Sequence, residues 1–324
     1  MRLRNLISTA DLDRATLDGV LAVARDVRSG PTHRPLAGRT LAMAFLAEST
    51  RTRAALESAA VALGVEIRDL TAAALTHARG ADAAAYLARA AAEADALAIR
   101  HTLVPGRTDA FLRGLAAESE RPVINLQSIN DHPLQTLADV LTLQEARPQG
   151  LVGAKVAVVW GWQKTPARPP SVPHGLLKLL PRFGVEVRLA HPPGFELSSD
   201  VLNEGRTLAA DGGRVTHHTN FDAAIAGADF VYPQGYCPEA LLHRPAEAAA
   251  LAAPFGDWRL DAARLTAHAP NARVLRSLPA AEGEECAPGL YEGAQGLFFA
   301  QAAQRSAVLL AVLLLALPAG GDEP

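Results

Sequence analysis

Short, wholly apolar runs alternate with helical stretches along this chain, and the series restarts once. Residues 41–46 (Leu-Ala-Met-Ala-Phe-Leu) carry no polar side chain, as expected of a strand covered on both faces in a parallel sheet. A helical segment follows over 50–63, with Gly64 where a left-handed C-terminal cap belongs. Residues 65–70 alternate like a strand, 81–94 read as an alanine-rich helix, 96–99 and 122–126 as strands, and 136–146 as another helix. After Gly150 and Gly153 the pattern begins again with strands at 155–160, 185–190, 230–232 and 273–275. Two successive series of this kind predict an α/β chain of two doubly wound parallel-sheet domains, with ligands at the carboxyl ends of strands. The expected division is 1–147, joined by a C-terminal helix at 297–318, and 148–296.

Composition removes several alternatives. With 324 residues the chain exceeds what one core usually serves. A net charge of −3 gives no reason to expect a nucleic-acid partner. The two cysteines, Cys237 and Cys286, have no metal-ligand spacing, so neither a metal nor a disulfide is expected, and a reducing cytoplasm fits. The longest apolar run, 307–318, falls short of the roughly 20 residues that span a bilayer. It is expected to be a buried C-terminal helix, with no membrane association, and residues 319–324 a frayed tail. No glycine-rich nucleotide motif follows any strand, and no cofactor is expected.

Chemistry concentrates after the first strand. Ser49-Thr50-Arg51-Thr52-Arg53 stands at a helix start, where free N–H groups form an anion site and Ser is a favoured N-cap. Thr50 and Thr52 add hydroxyl donors, and Arg51 a planar fork that matches two phosphate oxygens. Arg53 lies roughly 200° further round the helix, so both arginines cannot easily grip one phosphate. His132 and Gln135, three residues apart at another helix start, can converge on one ligand atom. Arg100-His101 places a basic side chain at a strand end.

Together these residues resemble the aspartate/ornithine transcarbamylase family over nearly the whole chain. The family's Ser-Thr-Arg-Thr-Arg motif stands at 49–53 and its His-Pro-x-Gln motif at 132–135. Its strand-end arginine corresponds to Arg100, its Leu-Pro pair to Leu278-Pro279, and the arginine of its last helix to Arg305. By that resemblance Ser49, Thr50, Arg51 and Thr52 hold the phosphate of carbamoyl phosphate. Arg100, His132 and Thr52 polarise the carbamoyl oxygen, and Gln135 and the Leu278 carbonyl hold its amino group. The family's loop that reaches a neighbouring subunit's site corresponds to residues 79–82, where Arg79 replaces a lysine; a plain surface turn is the alternative. A homotrimer is implied in the same way.

The proline-rich segment 160–173 resembles the loop of the knotted transcarbamylases, which implies a trefoil knot in the second domain. That subgroup includes the N-acetylornithine and N-succinylornithine enzymes and a ureido-type transcarbamylase, whose pattern is the closer match. Arg276-Ser277 stands where the subgroup usually has His-Cys, and Gln234 where a lysine commonly follows Tyr-Pro. The expected acceptor-binding residues are Trp162, Lys164, Gln234, Arg276 and Asn125, with Arg276 facing either an acceptor carboxylate or solvent. The implied activity is transfer of a carbamoyl group to a small amine-bearing acceptor. A non-catalytic homologue that binds carbamoyl phosphate is the alternative.

Overall fold

The computed structural model describes residues 1–30, 33–77, 83–102, 108–277 and 283–317. The chain divides into two compact units, residues 1–138 with 303–324, and 139–302.

In the first unit the elements run α1 (Arg14–Asp26), β1 (Thr40–Phe45), α2 (Thr50–Leu63), β2 (Glu66–Asp69), α3 (Thr71–His77), α4 (Ala83–Ala90), β3 (Ala96–Arg100), α5 (Thr108–Glu118) and β4 (Val123–Gln127). All strands are parallel in the order β2-β1-β3-β4. Strands β1 and β3 are neighbours with Phe45 opposite Arg100, and the crossovers leave them in opposite directions. A switch point of this kind opens a crevice at the carboxyl ends of its strands. Ala96, Leu97, Ala98 and Ile99 are fully buried, as the apolar run requires. Helix α2 ends at Gly64, whose φ of 81° is the left-handed conformation that glycine adopts without a Cβ penalty.

Two helices run across the division between the units: α6 (Pro133–Ala146) and α12 (Phe298–Ala316). Helix α12 is long and apolar enough to cross a membrane by length and composition, but Ala307, Val308, Ala311, Val312 and Leu313 are buried in the protein. The backbone N–H of Leu3 donates to Leu315 at its end. It is the core helix that the apolar run predicted.

The second unit contains β5 (Lys155–Val159), α7 (Ser171–Leu179), β6 (Glu186–Ala190), α8 (Ser199–Thr207), β7 (Arg214–His218), α9 (Phe221–Ile225), β8 (Phe230–Pro233), α10 (Pro245–Ala252), α11 (Ala262–His268) and β9 (Arg273–Val274). Its parallel sheet has the order β7-β6-β5-β8-β9, so its switch point lies between β5 and β8, with Val159 opposite Pro233. The proline-rich loop after β5 and the turn after β8 therefore leave the sheet side by side.

Candidate active site

The loop after β1 is pinned before it reaches its helix, because the N–H of Leu46 donates to the carbonyl of Arg100 at the end of β3. Ser49 occupies the N-cap of α2 but makes no side-chain cap bond. Its hydroxyl donates instead to Thr52 Oγ1 at 2.9 Å, which corrects the expectation drawn from cap preference. The first-turn N–H groups of α2 are thus left to an outside partner, as at other helix N-termini that bind anions. A cavity of about 440 Å³ opens there, lined by residues 45–50 with Arg53 and Thr71.

Arg53 is committed elsewhere. It pairs with Asp69 at 2.6 Å, donates to Thr71 at 3.1 Å and lies 4.7 Å above the Phe45 ring. This bracing role agrees with its place on a different helix face from Arg51.

Three further elements bring polar groups to the same end of the sheet. Arg305 on α12 donates from Nη2 to Thr52 Oγ1 at 2.9 Å. Arg100 donates to Gln127 Oε1, and its Nε is buried without a hydrogen-bond partner among the described residues. His132 is delivered by a loop fastened at Asp131, whose Oδ2 accepts from the Ser8 hydroxyl (2.7 Å), the Thr9 N–H (3.0 Å) and the Thr9 hydroxyl (3.1 Å). Pro133 then opens α6, a position where its missing N–H costs nothing, so the buried Gln135 sits in the first turn.

The electrostatics of this cluster are one-sided. Burial lowers the Arg100 pKa to about 10, with the positive charges of Arg305 and Arg51 adding to the shift. Burial also pushes the His132 imidazole well below its ordinary value, and the charges of Arg305, Arg100 and Arg51 add to it, against a weak opposing hydrogen bond from its own backbone. His132 is therefore neutral at pH 7, a hydrogen-bond donor rather than an acid. His101 is lowered to about 4 by burial and packs edge-on against Phe111 with centroids 4.7 Å apart. Arg79 and Leu278, both expected in this site, lie outside the described residues.

In the second unit the acceptor candidates separate. Asn125 belongs to the first unit and is fully buried in β4, where its Nδ2 donates to the Ile7 carbonyl at 2.7 Å. Through this bond it holds the N-terminal segment against the sheet. Trp162 is half-buried, with its indole N–H on the Ala252 carbonyl (3.1 Å) and Arg259 over its ring. Lys164 is exposed. Gln234 is buried, and its Oε1 accepts from the Ser277 hydroxyl at 2.6 Å.

Arg276 does not point to solvent. Its side chain is fully buried, paired with Glu285 at 3.0 Å and set 4.3 Å from the Tyr291 ring centroid. Glu285 also pairs with Arg168 at 3.0 Å and accepts from the Gly235 N–H at 2.5 Å. Sequence reasoning missed both Glu285 and Arg168, since nothing in the spacing of residues 168, 276 and 285 links them. A second network joins Asp139 to the Tyr232 hydroxyl (3.1 Å) and Gln301 Nε2 (2.5 Å), while Gln301 Oε1 accepts from the Arg276 N–H.

Comparison with known proteins bears on both units. The carbamoyl-phosphate-binding domain of the aspartate/ornithine carbamoyltransferases matches residues 4–145, and their Asp/Orn-binding domain matches residues 154–316. The putative carbamoyltransferase YgeW of Escherichia coli K12 is 33% identical over 63% of this chain and 55% of its own length, so the chain spans little more than half of that relative. The ornithine carbamoyltransferase of Parasynechococcus marenigrum is 32% identical over 96% of this chain and 94% of its own. Among solved structures, ornithine carbamoyltransferase from Gloeobacter violaceus superposes with a TM-score of 0.77 at 29% identity, covering 98% of this chain and all of that one. An acetylornithine transcarbamylase complexed with acetylcitrulline superposes with a TM-score of 0.86 at 24% identity, over 98% of this chain and all of the other, a likeness of fold.

Proposed function

Since this chain belongs to the aspartate/ornithine carbamoyltransferase family, we propose that it moves the carbamoyl group of carbamoyl phosphate onto the amine of a small amino-acid-like acceptor, giving a ureido product and phosphate. The observation that carries this reading is the one-sided cluster of Arg51, Arg100 and Arg305 around a neutral His132. A polyanion held there is attracted by all three guanidinium groups. Carbamoyl phosphate supplies that charge and a carbonyl oxygen beside it.

In this mechanism the phosphate sits on Ser49, Thr50, Arg51 and Thr52 at the α2 N-terminus, with Arg305 held to Thr52. Arg100, His132 and Thr52 face the carbamoyl oxygen, while Gln135 and Leu278 take its amino group. The acceptor nitrogen attacks the carbonyl carbon, forming the new C–N bond. Negative charge collects on the carbonyl oxygen, where fixed donors stabilise it most. Collapse of the intermediate breaks the bond to the phosphate oxygen, which leaves with its electron pair and takes the amine proton. The neutral His132 donates a hydrogen bond throughout without becoming the acid.

The same family reading carries a threaded, knotted segment at 160–195, a homotrimer completed by Arg79 of a neighbouring subunit, and a cytoplasmic location. The acceptor is an ornithine derivative or a related amino acid, in keeping with the names of the relatives. The test measures phosphate release from carbamoyl phosphate with ornithine, N-acetylornithine, N-succinylornithine, 2,3-diaminopropionate and aspartate, alongside calorimetric binding of carbamoyl phosphate to the wild type and Arg51→Ala. We expect binding that is lost in Arg51→Ala. Affinity that survived the substitution would refute the assigned role of Arg51, and binding without turnover on every amine would mark a non-catalytic homologue.

A further inference from the structure

The proline-rich loop leaves two buried polar atoms of opposite character at the switch point of the second sheet. Gln163 is 6% exposed, and its Oε1 has no hydrogen-bond partner among the described residues. Arg168, five residues on, uses Nη2 for Glu285, while its Nη1 is buried without a hydrogen-bond partner among the described residues. Both groups are fixed in place. A Cβ on Gly235 would fall 2.5 Å from Gln163 Cγ and 2.6 Å from its Cδ, so the turn after β8 closes on Gln163 at van der Waals limits. The Gly235 N–H and Arg168 meet on the same Glu285 oxygen, and the Arg168 carbonyl accepts from the Cys237 N–H at 2.8 Å.

An orphaned buried donor and an orphaned buried acceptor each cost stability and call for a partner. One carboxylate, Glu285, serves two guanidinium groups here, so the charge of Arg168 is only partly met. We propose that Arg168 and Gln163 form the head-group subsite for the acceptor, resting on the carbamoyl-transfer reading above. Arg168 Nη1 takes a carboxylate, and Gln163 Oε1 takes an N–H of the same molecule, either the ammonium of a free α-amino acid or the amide of an N-acylated one. Glu285 is the positioning residue that holds the Arg168 fork. The acceptor class is then an amino acid that keeps its carboxylate, and decarboxylated diamines are excluded.

The experiment titrates the protein, with and without saturating carbamoyl phosphate, with four non-reactive probes. L-Norvaline and N-acetyl-L-norvaline carry the head group; n-butylamine and N-butylacetamide lack the carboxylate. We expect one or both norvaline compounds to bind and neither decarboxylated analogue to do so. Arg168→Gln should weaken that binding at least about 30-fold while leaving carbamoyl phosphate affinity unchanged. Glu285→Gln should weaken it less, and Arg168→Lys should restore part of the loss in Arg168→Gln. Equal binding of both probe classes, absence of norvaline binding, or norvaline affinity unchanged in Arg168→Gln would each overturn the proposal. If Arg168→Gln fails to fold, the wild-type discrimination and Arg168→Lys still decide it. Loss of carbamoyl phosphate binding in the wild type would sink the transfer reading, and the norvaline arms without that ligand would still judge this subsite.

Discussion

The two units treat their arginines in opposite ways. At the β1/β3 switch point burial disfavours the charged forms of Arg100 and His132, and the charges of Arg305 and Arg51 add to it. At the β5/β8 switch point Arg276 and Arg168 share the buried Glu285, and Ser277, Gln234, Tyr232, Asp139 and Gln301 bond to each other. The first arrangement gathers positive charge that favours a polyanion. The second is largely satisfied from within, and the proline-rich loop adds Arg168 Nη1 and Gln163 Oε1, which lack a hydrogen-bond partner among the described residues. A site that waits for a charged donor can be read from its charges, whereas a self-satisfied site must be read from what it leaves unpaired.

The contrast breaks most visibly at Glu285. Glu285→Ala leaves two buried guanidinium groups uncompensated and should destabilise the protein by about 3–5 kcal/mol, measured by denaturant unfolding. If the loss stayed below about 1 kcal/mol, the second unit would not be held by that carboxylate. Arg100→Gln should lower carbamoyl-group turnover by about 10²- to 10³-fold. It should also hold or raise the melting temperature of the ligand-free protein, because it removes repulsion. A drop in melting temperature there would mean that the bond from Arg100 to Gln127 outweighs the repulsion.

His101 sharpens the picture through pH. Its pKa of about 4 in the folded protein lies below the unfolded value near 6.5. The unfolded chain therefore binds the proton first, so stability is present above pH 6.5 and is lost as pH falls towards 4, by up to about 3 kcal/mol. His101→Phe should flatten that stretch of a stability–pH profile while keeping the contact with Phe111. The smallest effect is expected at Arg53. Its pair with Asp69 is part-exposed, so Arg53→Ala should cost about 1 kcal/mol or less and change carbamoyl phosphate affinity by less than about threefold.

The sequence signals that succeeded were local ones. Apolar runs marked β1, β3, β5 and β8, because strands covered on both faces are apolar along most of their length, while β4 and β6 were marked despite Asn125, Gln127, Glu186 and Arg188. The polar β7, Arg-Val-Thr-His-His, escaped because it lies at the sheet edge with much of it exposed. Helix α4 ends at Ala90 although alanine continues to 92, since the chain has to turn before β3. Helix α6 begins at Pro133, three residues earlier than periodicity suggested, which sets Gln135 inside the first turn.

The sequence alone determined the alternation of strands and helices, the Ser49–Arg53 run at a helix start, and the roster of basic residues at strand ends. These follow from propensity and pattern within a few residues of one another. Tertiary structure decided what each arginine does. Arg51 and Arg53 stand two residues apart, yet one joins the cluster and the other braces Asp69. Arg276 and Arg168 are 108 positions apart and meet on one carboxylate. Whether a guanidinium binds a ligand or a neighbour depends on which buried acid lies within about 4 Å, and chain folding alone sets that distance.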